Sequence, residues 1–224
     1  MKILVTAGPT REFLDPVRFL SNRSSGKMGY AIAEAAALRG HETVLVSGPV
    51  ALDPPAGVRV RRIVSAQDML EAVCDELDTA EVLVMAAAVA DWRPAEVAGE
   101  KLKKHSDGGG AFQAVDGRAT LTLVATPDIL ATIRPRKGGR TFVGFAAETG
   151  DPLAEAGRKL RAKGLDLIVA NDVSRPDAGF EVDTNAVVFL APDTAPEALP
   201  LLPKREVARR LVERIERMRA SVRE

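Results

Sequence analysis

Lys2-Ile3-Leu4-Val5-Thr6, at the start of the chain, has the apolar centre Ile3-Leu4-Val5 and is a segment of the kind that forms a buried parallel strand. The alanine-rich segment 27–39 that follows has the features of a helix. Between them lies Ser21-Asn22-Arg23-Ser24-Ser25-Gly26-Lys27-Met28-Gly29, which is rich in hydroxyl, amide and glycine residues. A helix that starts here directs backbone N–H groups and its positive dipole end at the loop. The sequence therefore predicts a strand and a helix joined by a phosphate-handling loop, with Ser24, Ser25, Gly26 and Lys27 as its candidate contacts.

Strand-like and helical segments continue to alternate along the chain. Further strands are predicted at 42–47, 58–64, 81–86, 141–146, 165–170 and 186–190, and further helices at 66–77, 127–133, 152–163 and from 203 onward. This alternation predicts an α/β fold with a doubly wound, mostly parallel Rossmann-like sheet. A small additional hairpin is expected around Asp116-Gly117. Such sheets bind ligands at the carboxyl ends of their strands.

The 224 residues are predicted to form a single domain, 1–224. Three connections, 7–26, 91–110 and 171–185, are longer than the roughly two to six residues that a simple α/β unit uses. Because long loops in compact domains usually have a role, function is expected in these three segments.

Composition excludes several classes of protein. Basic and acidic residues balance at 31 each, so no overall field favours nucleic acid as a partner. The sequence has no long apolar segment and its first residues enter a strand, which predicts a cytoplasmic protein without a membrane partner. Cys74, His41 and His105 lack the spacing of a zinc site.

Two common nucleotide-binding patterns are absent. A dinucleotide-binding loop needs G-x-G-x-x-G after the first strand and an acidic residue after the second, but the chain has Gly8-Pro9-Thr10 and Val46-Ser47-Gly48. A P-loop needs glycine and a hydroxyl where Ser21 and Met28 stand. For the loop itself, a helix cap made by Ser24 or Ser25 is the structural alternative to phosphate binding.

Lysines cluster in the segments expected to be functional. Only nine of the 31 basic residues are lysines, and six of them are Lys27, Lys101, Lys103, Lys104, Lys159 and Lys163. An ammonium group acts as a movable point charge on a phosphate chain, whereas arginine favours a planar fork. Solvated surface positions remain the alternative for these side chains.

Small residues follow two of the predicted strands. Met85, Ala86 and Ala87 would let a ligand approach the backbone, and Asp91 beyond them could accept from a sugar or base or hold magnesium, with a turn cap as the alternative. Phe145, near the end of another strand, could pack against a base. Trp92 is assigned no role.

Eight motifs, in this order, resemble those of the bacterial phosphopantothenoylcysteine synthetases. They are Gly8-Pro9-Thr10-Arg11-Glu12, Asp15-Pro16-Val17-Arg18, 21–29, 86–91, Lys101-Leu102-Lys103-Lys104, Thr126-Pro127-Asp128-Ile129-Leu130, 144–149 and Ala170-Asn171-Asp172-Val173. The match spans nearly the whole chain; the family usually has isoleucine where Leu102 stands.

The resemblance implies an amide ligase of coenzyme A biosynthesis. Such an enzyme joins 4'-phosphopantothenate to L-cysteine with CTP and magnesium, through an acyl-cytidylate, and releases pyrophosphate and CMP. It implies catalytic roles for Asn22 at the acyl-nucleotide and Lys101 at the triphosphate. The implied nucleotide contacts are Met85, Ala86, Ala87, Asp91, Lys101, Pro127, Asp128, Ile129, Leu130, Phe145, Lys159 and Lys163.

The resemblance also implies a homodimer. The candidate contact segments are 111–124 and 186–190, because short strands outside the main sheet would otherwise leave edges to cover. Many members of the family carry a flavin-dependent decarboxylase before this region. Since this sequence begins at the first strand of the synthetase, we expect it to catalyse ligation without binding FMN. The alternatives are a nicotinamide-dependent oxidoreductase on a similar sheet and a noncatalytic nucleotide-binding module.

Overall fold

The computed structural model describes residues 1–103, 111–115, 117–148, 152–172 and 181–221. The strands are β1 Lys2–Ala7, β2 Arg11–Phe13, β3 Phe19–Ser21, β4 Glu42–Ser47, β5 Val58–Arg62, β6 Val82–Met85, β7 Trp92–Pro94, β8 Phe112–Val115, β9 Arg118–Leu121, β10 Leu123–Ala125, β11 Thr141–Glu148, β12 Leu167–Asp172, β13 Thr184–Asn185, β14 Val187–Leu190, β15 Glu197–Ala198 and β16 Leu202–Pro203. The helices are α1 Lys27–Leu38, α2 Ala66–Leu77, α3 Ile129–Ile133, α4 Pro152–Lys163 and α5 Lys204–Ser221, with a 3-10 turn at Arg134–Arg136.

An eight-stranded sheet, in the order β15-β14-β12-β11-β6-β1-β4-β5, forms the centre of the molecule. Strands β5, β4, β1, β6, β11 and β12 are parallel, and β14 and β15 add to one edge in antiparallel fashion. From β1 the chain first builds outward through β4 and β5, then returns to build through β6 and β11 on the other side. The doubly wound, mostly parallel α/β sheet predicted from the sequence is confirmed.

Two apolar layers cover the sheet because its parallel strands are buried on both faces. Along β1, Ile3 and Val5 pack with α1 and α5, while Leu4 between them packs on the opposite face with α2, α3 and α4. This alternation follows from the two-residue period of a strand. It explains why Ile3, Leu4 and Val5 are all apolar.

Helix α1 lies unusually close to β1. A Cβ atom added to Gly29 would lie 2.5 Å from the Cβ of Ala7 and 2.9 Å from the carbonyl oxygen of Thr6. No side chain larger than hydrogen fits between helix and strand here. This contact fixes the N-terminus of α1 at the carboxyl end of β1.

Several predicted elements match the structure closely. Helices α2 and α4 and strand β4 have the predicted bounds, and β8 and β9 form the predicted hairpin, with Gly117 at a φ of 73°. The observed β11 extends past 146 to Glu148, and β12 begins at Leu167.

The long connections contain structure that the sequence did not predict. Segment 7–26 includes the hairpin β2–β3, and β7 within 91–110 pairs with the distant β10. The segment 186–190 was predicted to lie outside the main sheet, which is wrong: β14 pairs with β12 inside it, because Val187 and Phe189 belong to the core on the α1 side. Lys104, His105 and 173–180 lie outside the described residues. No described helix is long and apolar enough to cross a membrane.

Candidate functional site: a nucleotide-sized cavity at the sheet edge

A cavity of about 890 Å³ opens at the carboxyl ends of β6 and β11, beside the N-terminus of α1. Its wall includes the predicted residues Asn22, Ser24, Gly26, Lys27, Met85, Ala86, Ala87, Asp91, Pro127, Asp128, Ile129, Leu130, Phe145, Lys159 and Lys163. The cavity has the size expected for a small-molecule site. The fold thus brings together segments that are up to 140 residues apart in the chain, as the strand-end prediction required.

The N-terminus of α1 faces this cavity without a conventional cap. Gly26 is the N-cap residue in a left-handed conformation, with a φ of 78°, and as a glycine it supplies no side-chain cap. Ser24 Oγ accepts a hydrogen bond from the amide of Gly26, at 3.4 Å. The N-cap position therefore belongs to Gly26 and not to Ser24 or Ser25, and the amides of the first turn of such a helix are the groups that bind anions.

The small-residue segment after β6 is fixed by two threonines. Thr6 Oγ1 accepts from the amide of Ala87 at 3.1 Å, and Thr10 Oγ1 accepts from the amide of Ala90 at 3.0 Å. The amide of Ala88 also donates to the carbonyl of Gly8, at 2.9 Å. The loops after β1 and β6 are thereby joined into one wall.

Asn22 bridges the same two loops. Its Nδ2 donates to the carbonyl oxygens of Ala88, at 3.2 Å, and Val89, at 3.1 Å. These bonds hold the amide at the cavity wall. A donation from Nδ2 to an oxyanion, as the family resemblance implies, would have to replace one of them.

Lys163 and Asp128 form an ion pair across the cavity wall. Asp128 also caps α3, where its carboxylate accepts from the amide of Ala131 at 3.0 Å. Burial alone would raise the pKa of Asp128, but the hydrogen bonds from Lys163 and Ala131 hold that pKa below its usual value. Asp128 therefore stays ionised and fixes the position of the Lys163 ammonium.

Lys101 lies outside the cavity wall, although its neighbour is firmly held. The amide of Leu102 donates to Asp15 Oδ2 at 3.1 Å, and Arg18 Nη2 donates to the carbonyl of Leu102 at 2.6 Å. Lys101 is exposed immediately before this anchor. Ser25 is likewise absent from the wall residues.

Sequence reasoning gave no role in the site to four polar residues and an indole that line the wall: Thr126, Asn171, Asn185, Lys204 and Trp92. Lys204 is only 5% exposed, and its Nζ donates to the carbonyl of Val182 at 2.6 Å. Burial and the nearby charge of Lys27 lower the pKa of Lys204 to about 8, and Asp183 partly opposes them. In the sequence, Lys204 directly follows Leu202-Pro203 at the start of a helix. The apolar period of that helix predicted only that it packs against the core.

The cavity carboxylates suit a cation bound mainly through substrate phosphates. Asp91 and Asp128 line the wall, and Mg²⁺ at such sites commonly uses one or two carboxylates. Within the described ranges there is no cluster of three or more histidine, cysteine or acidic residues that could hold a metal by itself. The donor set fits a nucleotide-bound magnesium ion, with Asp91 as its candidate carboxylate.

A helix N-terminus, several ammonium groups and a small-residue wall at the edge of a doubly wound sheet define an α/β protein that binds an anionic small molecule. Residues 1–218 match the model of the DNA/pantothenate metabolism flavoprotein C-terminal domain. The chain belongs to this family. The family predicted from the sequence motifs is thus confirmed.

Known relatives agree with this assignment. The chain is 45% identical over 214 residues to the coenzyme A biosynthesis bifunctional protein CoaBC of Bacillus subtilis (strain 168), covering 95% of this chain and 50% of that protein. It is also similar to the crystal structure of a CoaBC C-terminal domain, with a TM-score of 0.80, 45% identity and 98% of each chain covered. The chain spans about half the length of the curated relatives it matches.

A more distant structure shares only the fold. It is a Cab2 mutant in complex with phosphopantothenate-cysteine, with a TM-score of 0.79 and 16% identity, covering all of this chain (100%) and 89% of that one.

Proposed function

We propose that this protein joins 4'-phosphopantothenate to L-cysteine at the expense of CTP. The observation that carries the proposal is the cavity in which Asn22, the N-terminus of α1 and Phe145 meet, in a chain 45% identical to a coenzyme A biosynthesis protein. A nucleotide and an acyl chain can lie end to end in such a cavity.

In the proposed reaction, a carboxylate oxygen of phosphopantothenate attacks the α-phosphorus of CTP. The bond from that phosphorus to the bridging oxygen breaks, and pyrophosphate leaves. The amine of cysteine then attacks the acyl carbon of the acyl-cytidylate, which releases CMP and forms the amide. Both steps depend mainly on positioning and on neutralising phosphate charge.

Each part of the wall has a place in this scheme. The helix amides at Gly26 and the ammonium of Lys27 bind phosphate, while Met85, Ala86 and Ala87 allow the nucleotide to approach the backbone. Phe145 packs against the base. Lys163, held by Asp128, together with Lys159, contacts the nucleotide from α4.

Asn22 and Lys101 are the proposed catalytic residues. Asn22 sits where the loops after β1 and β6 meet, so its amide can reach the acyl-phosphate junction. Lys101 extends from the anchored Leu102 and would approach the triphosphate when substrate is bound. Mg²⁺, with Asp91 as a ligand, would supply further charge neutralisation.

The resemblance also supports a homodimer in the cytoplasm. Exposed apolar side chains lie on the paired strands β2–β3 and β7–β10, which contact each other; they are Phe13, Phe19, Trp92, Leu123 and Val124. These strands are therefore candidates for a contact surface between subunits. Sedimentation analysis of the chain tests this state.

The experiment that tests the function measures pyrophosphate release from CTP. Release should require both CTP and phosphopantothenate, and cysteine should then convert the acyl-cytidylate to amide and CMP. A nucleotide-binding module would give no release, and an oxidoreductase would respond to a nicotinamide cofactor instead. Substituting ATP for CTP in the same assay tests the base preference.

Two variants locate the chemistry within this assay. Asn22→Ala removes the bridge to Ala88 and Val89, and we expect a large loss of turnover in a folded protein. Lys101→Gln should lower the rate at saturating CTP. Wild-type rates in both variants would contradict the assignment of the catalytic residues.

A further inference from the structure

One buried amide in the cavity wall lacks a partner. Asn185 is 4% exposed, and its Oδ1 has no hydrogen-bond partner among the described residues. Buried polar atoms in folded proteins are nearly always paired, so an unpaired one in a cavity wall indicates a missing ligand. Because an amide can rotate by half a turn, Asn185 can present either its oxygen or its NH₂ group to that ligand.

A buried ammonium lies beside this amide. Asn185 pairs with Leu202 in the ribbon β13–β16, which brings it close to Lys204 at the first position of α5. The neighbouring charge of Lys27 disfavours the charged form of Lys204, and Asp183 only partly offsets it. Two lysines that repel one another at the end of a cavity become favourable neighbours when an anion lies between them.

The N-terminus of α1 completes the same end of the cavity. Gly26, Lys27 and Met28 line the wall together with Asn185 and Lys204. The helix amides there point toward bound anions. Helix end, two ammonium groups and an unpaired amide therefore converge from separate parts of the chain.

In this structure the carboxylate of Asp183 neutralises one of the two ammonium groups, that of Lys27. Lys27 Nζ donates to Asp183 Oδ1 at 2.7 Å, and it lowers the pKa of Asp183. The Asp183 side chain is 87% exposed, so it can turn away into solvent without leaving a buried charge behind. An incoming anion would compete with Asp183 for Lys27.

We propose that Lys204 and Asn185, with Lys27, bind the terminal phosphates of the nucleotide and then the pyrophosphate that the reaction releases. The identity of the ligand rests on the proposed function. The Lys204 ammonium neutralises phosphate oxygens from a nearly buried position, where a charge contributes more than at the surface. With its amide rotated by half a turn, Asn185 donates its NH₂ group to a phosphate oxygen from the buried position that Oδ1 now occupies.

The test is calorimetric binding of inorganic pyrophosphate to the full chain, without any other substrate. Lys204→Met and Asn185→Leu should each weaken binding by about tenfold or more, the effect of one charge-assisted or buried hydrogen bond. Asp183→Asn should strengthen binding, because it removes the competing carboxylate. The matched control is Arg205→Met, which removes an exposed cation from the next position of α5.

The set of variants keeps the test decisive. Lys204→Met leaves the carbonyl of Val182 without its donor, so thermal melts must accompany every titration. If Lys204→Met unfolds, Asp183→Asn still reports on the site, since its side chain is exposed. Equal weakening by Lys204→Met and Arg205→Met would overturn the proposal, since it would indicate only a general charge effect. So would unchanged binding in Asn185→Leu and Asp183→Asn.

Turnover measurements separate this proposal from the function itself. A chain that binds pyrophosphate through Lys204 but makes no amide would overturn the function and leave the subsite intact. An active ligase in which Asn185→Leu raises only the KM for cysteine, with pyrophosphate binding unchanged, would assign this end to the amino acid and overturn the subsite.

Discussion

Replacing Gly29 by alanine tests whether the cavity depends on the close approach of α1 to β1. The added Cβ would lie 2.5 Å from Ala7 Cβ, 2.9 Å from the carbonyl oxygen of Thr6 and 3.0 Å from Ala7 Cα. Carbon atoms pack best at about 3.5–4.0 Å, so the helix must move by about 1 Å. Since Ala7 belongs to the fully buried β1, the displacement falls on the first turn of α1.

Two effects of known size determine the outcome. Overpacking of this kind costs about 1–3 kcal/mol, and the better helix propensity of alanine offsets about 1 kcal/mol of it. We therefore expect the free energy of unfolding to fall by up to about 2 kcal/mol. In a chain of this size each kcal/mol corresponds to about 2–4 °C in Tm. A shift of about 1 Å at a binding group can lower turnover by about a hundredfold, so activity should fall much more than stability.

The assay combines thermal unfolding with pyrophosphate release, and Gly157→Ala is the matched control. Gly157 is also inside a helix, but its added Cβ would meet nothing closer than 3.8 Å. That variant should be as stable as the wild type or more stable by about 0.4–1 kcal/mol, with unchanged activity. If Gly29→Ala matched Gly157→Ala in both measurements, the close packing of α1 would not position the site.

Two further predictions concern carboxylates that hydrogen bonds hold in place. Asp15→Asn should lower the Tm and also the rate at saturating CTP. Burial alone would raise the pKa of Asp15, but hydrogen bonds from Arg18, Val17 and Leu102 hold that pKa well below its usual range. The same carboxylate anchors the backbone beside Lys101, so its loss should also affect that lysine. An unchanged rate with a lowered Tm would limit Asp15 to a structural role. For Glu76, hydrogen bonds from Arg59 and Lys2 lower the pKa to about 2 despite partial burial, so its stabilising effect is present above its ordinary pKa of 4.5 and lost as the pH falls toward 2. Urea unfolding of wild type and Glu76→Gln should therefore differ at neutral pH and converge near pH 2, and a constant difference would contradict this ionisation.

The main sheet and its helices could be predicted because short stretches of sequence indicate each of them. Ile3, Leu4 and Val5 form an apolar run in β1 since both faces of that strand are buried, and α2 begins with a capping box formed by Ser65 and Asp68. The hairpin β2–β3 and the ribbon β7–β10 could not be predicted in this way. Each has strands of three residues, and the strand partner of β7 lies about thirty positions further along the chain.

Site residues that directly follow a strand of the main sheet could be predicted from the sequence. Site residues that reach the cavity only through pairing between distant segments could not. Ala86 and Asp91 follow β6 directly, so their place at the sheet edge could be inferred. Asn185 reaches the cavity only because the two-residue strands β13 and β16 pair, which no periodicity reveals. Lys204 was hidden because α5 has an amphipathic pattern in which a first-turn lysine looks solvated.

The position of the cavity also explains why a nicotinamide cofactor does not fit this sheet. A dinucleotide-binding protein places the ribose at the end of the strand next to β1, which is β4 here. That position is closed: a Cβ added to Gly48 would lie 1.8 Å from the carbonyl oxygen of Pro9, and Ser47 is buried against Tyr30 at 3.0 Å. The hairpin β2–β3 continues the closure, since the amide of Arg11 donates to the carbonyl of Val64 at 2.8 Å. The residues that line the cavity, among those described, come from the N-terminus of α1 and its preceding loop, from the strand ends of β6 and β11, and from segments further along the chain, and none comes from β4 or β5. The loop after β1 thus fills the ribose position at the end of β4, and the cavity lies beside it, at the ends of β6 and β11.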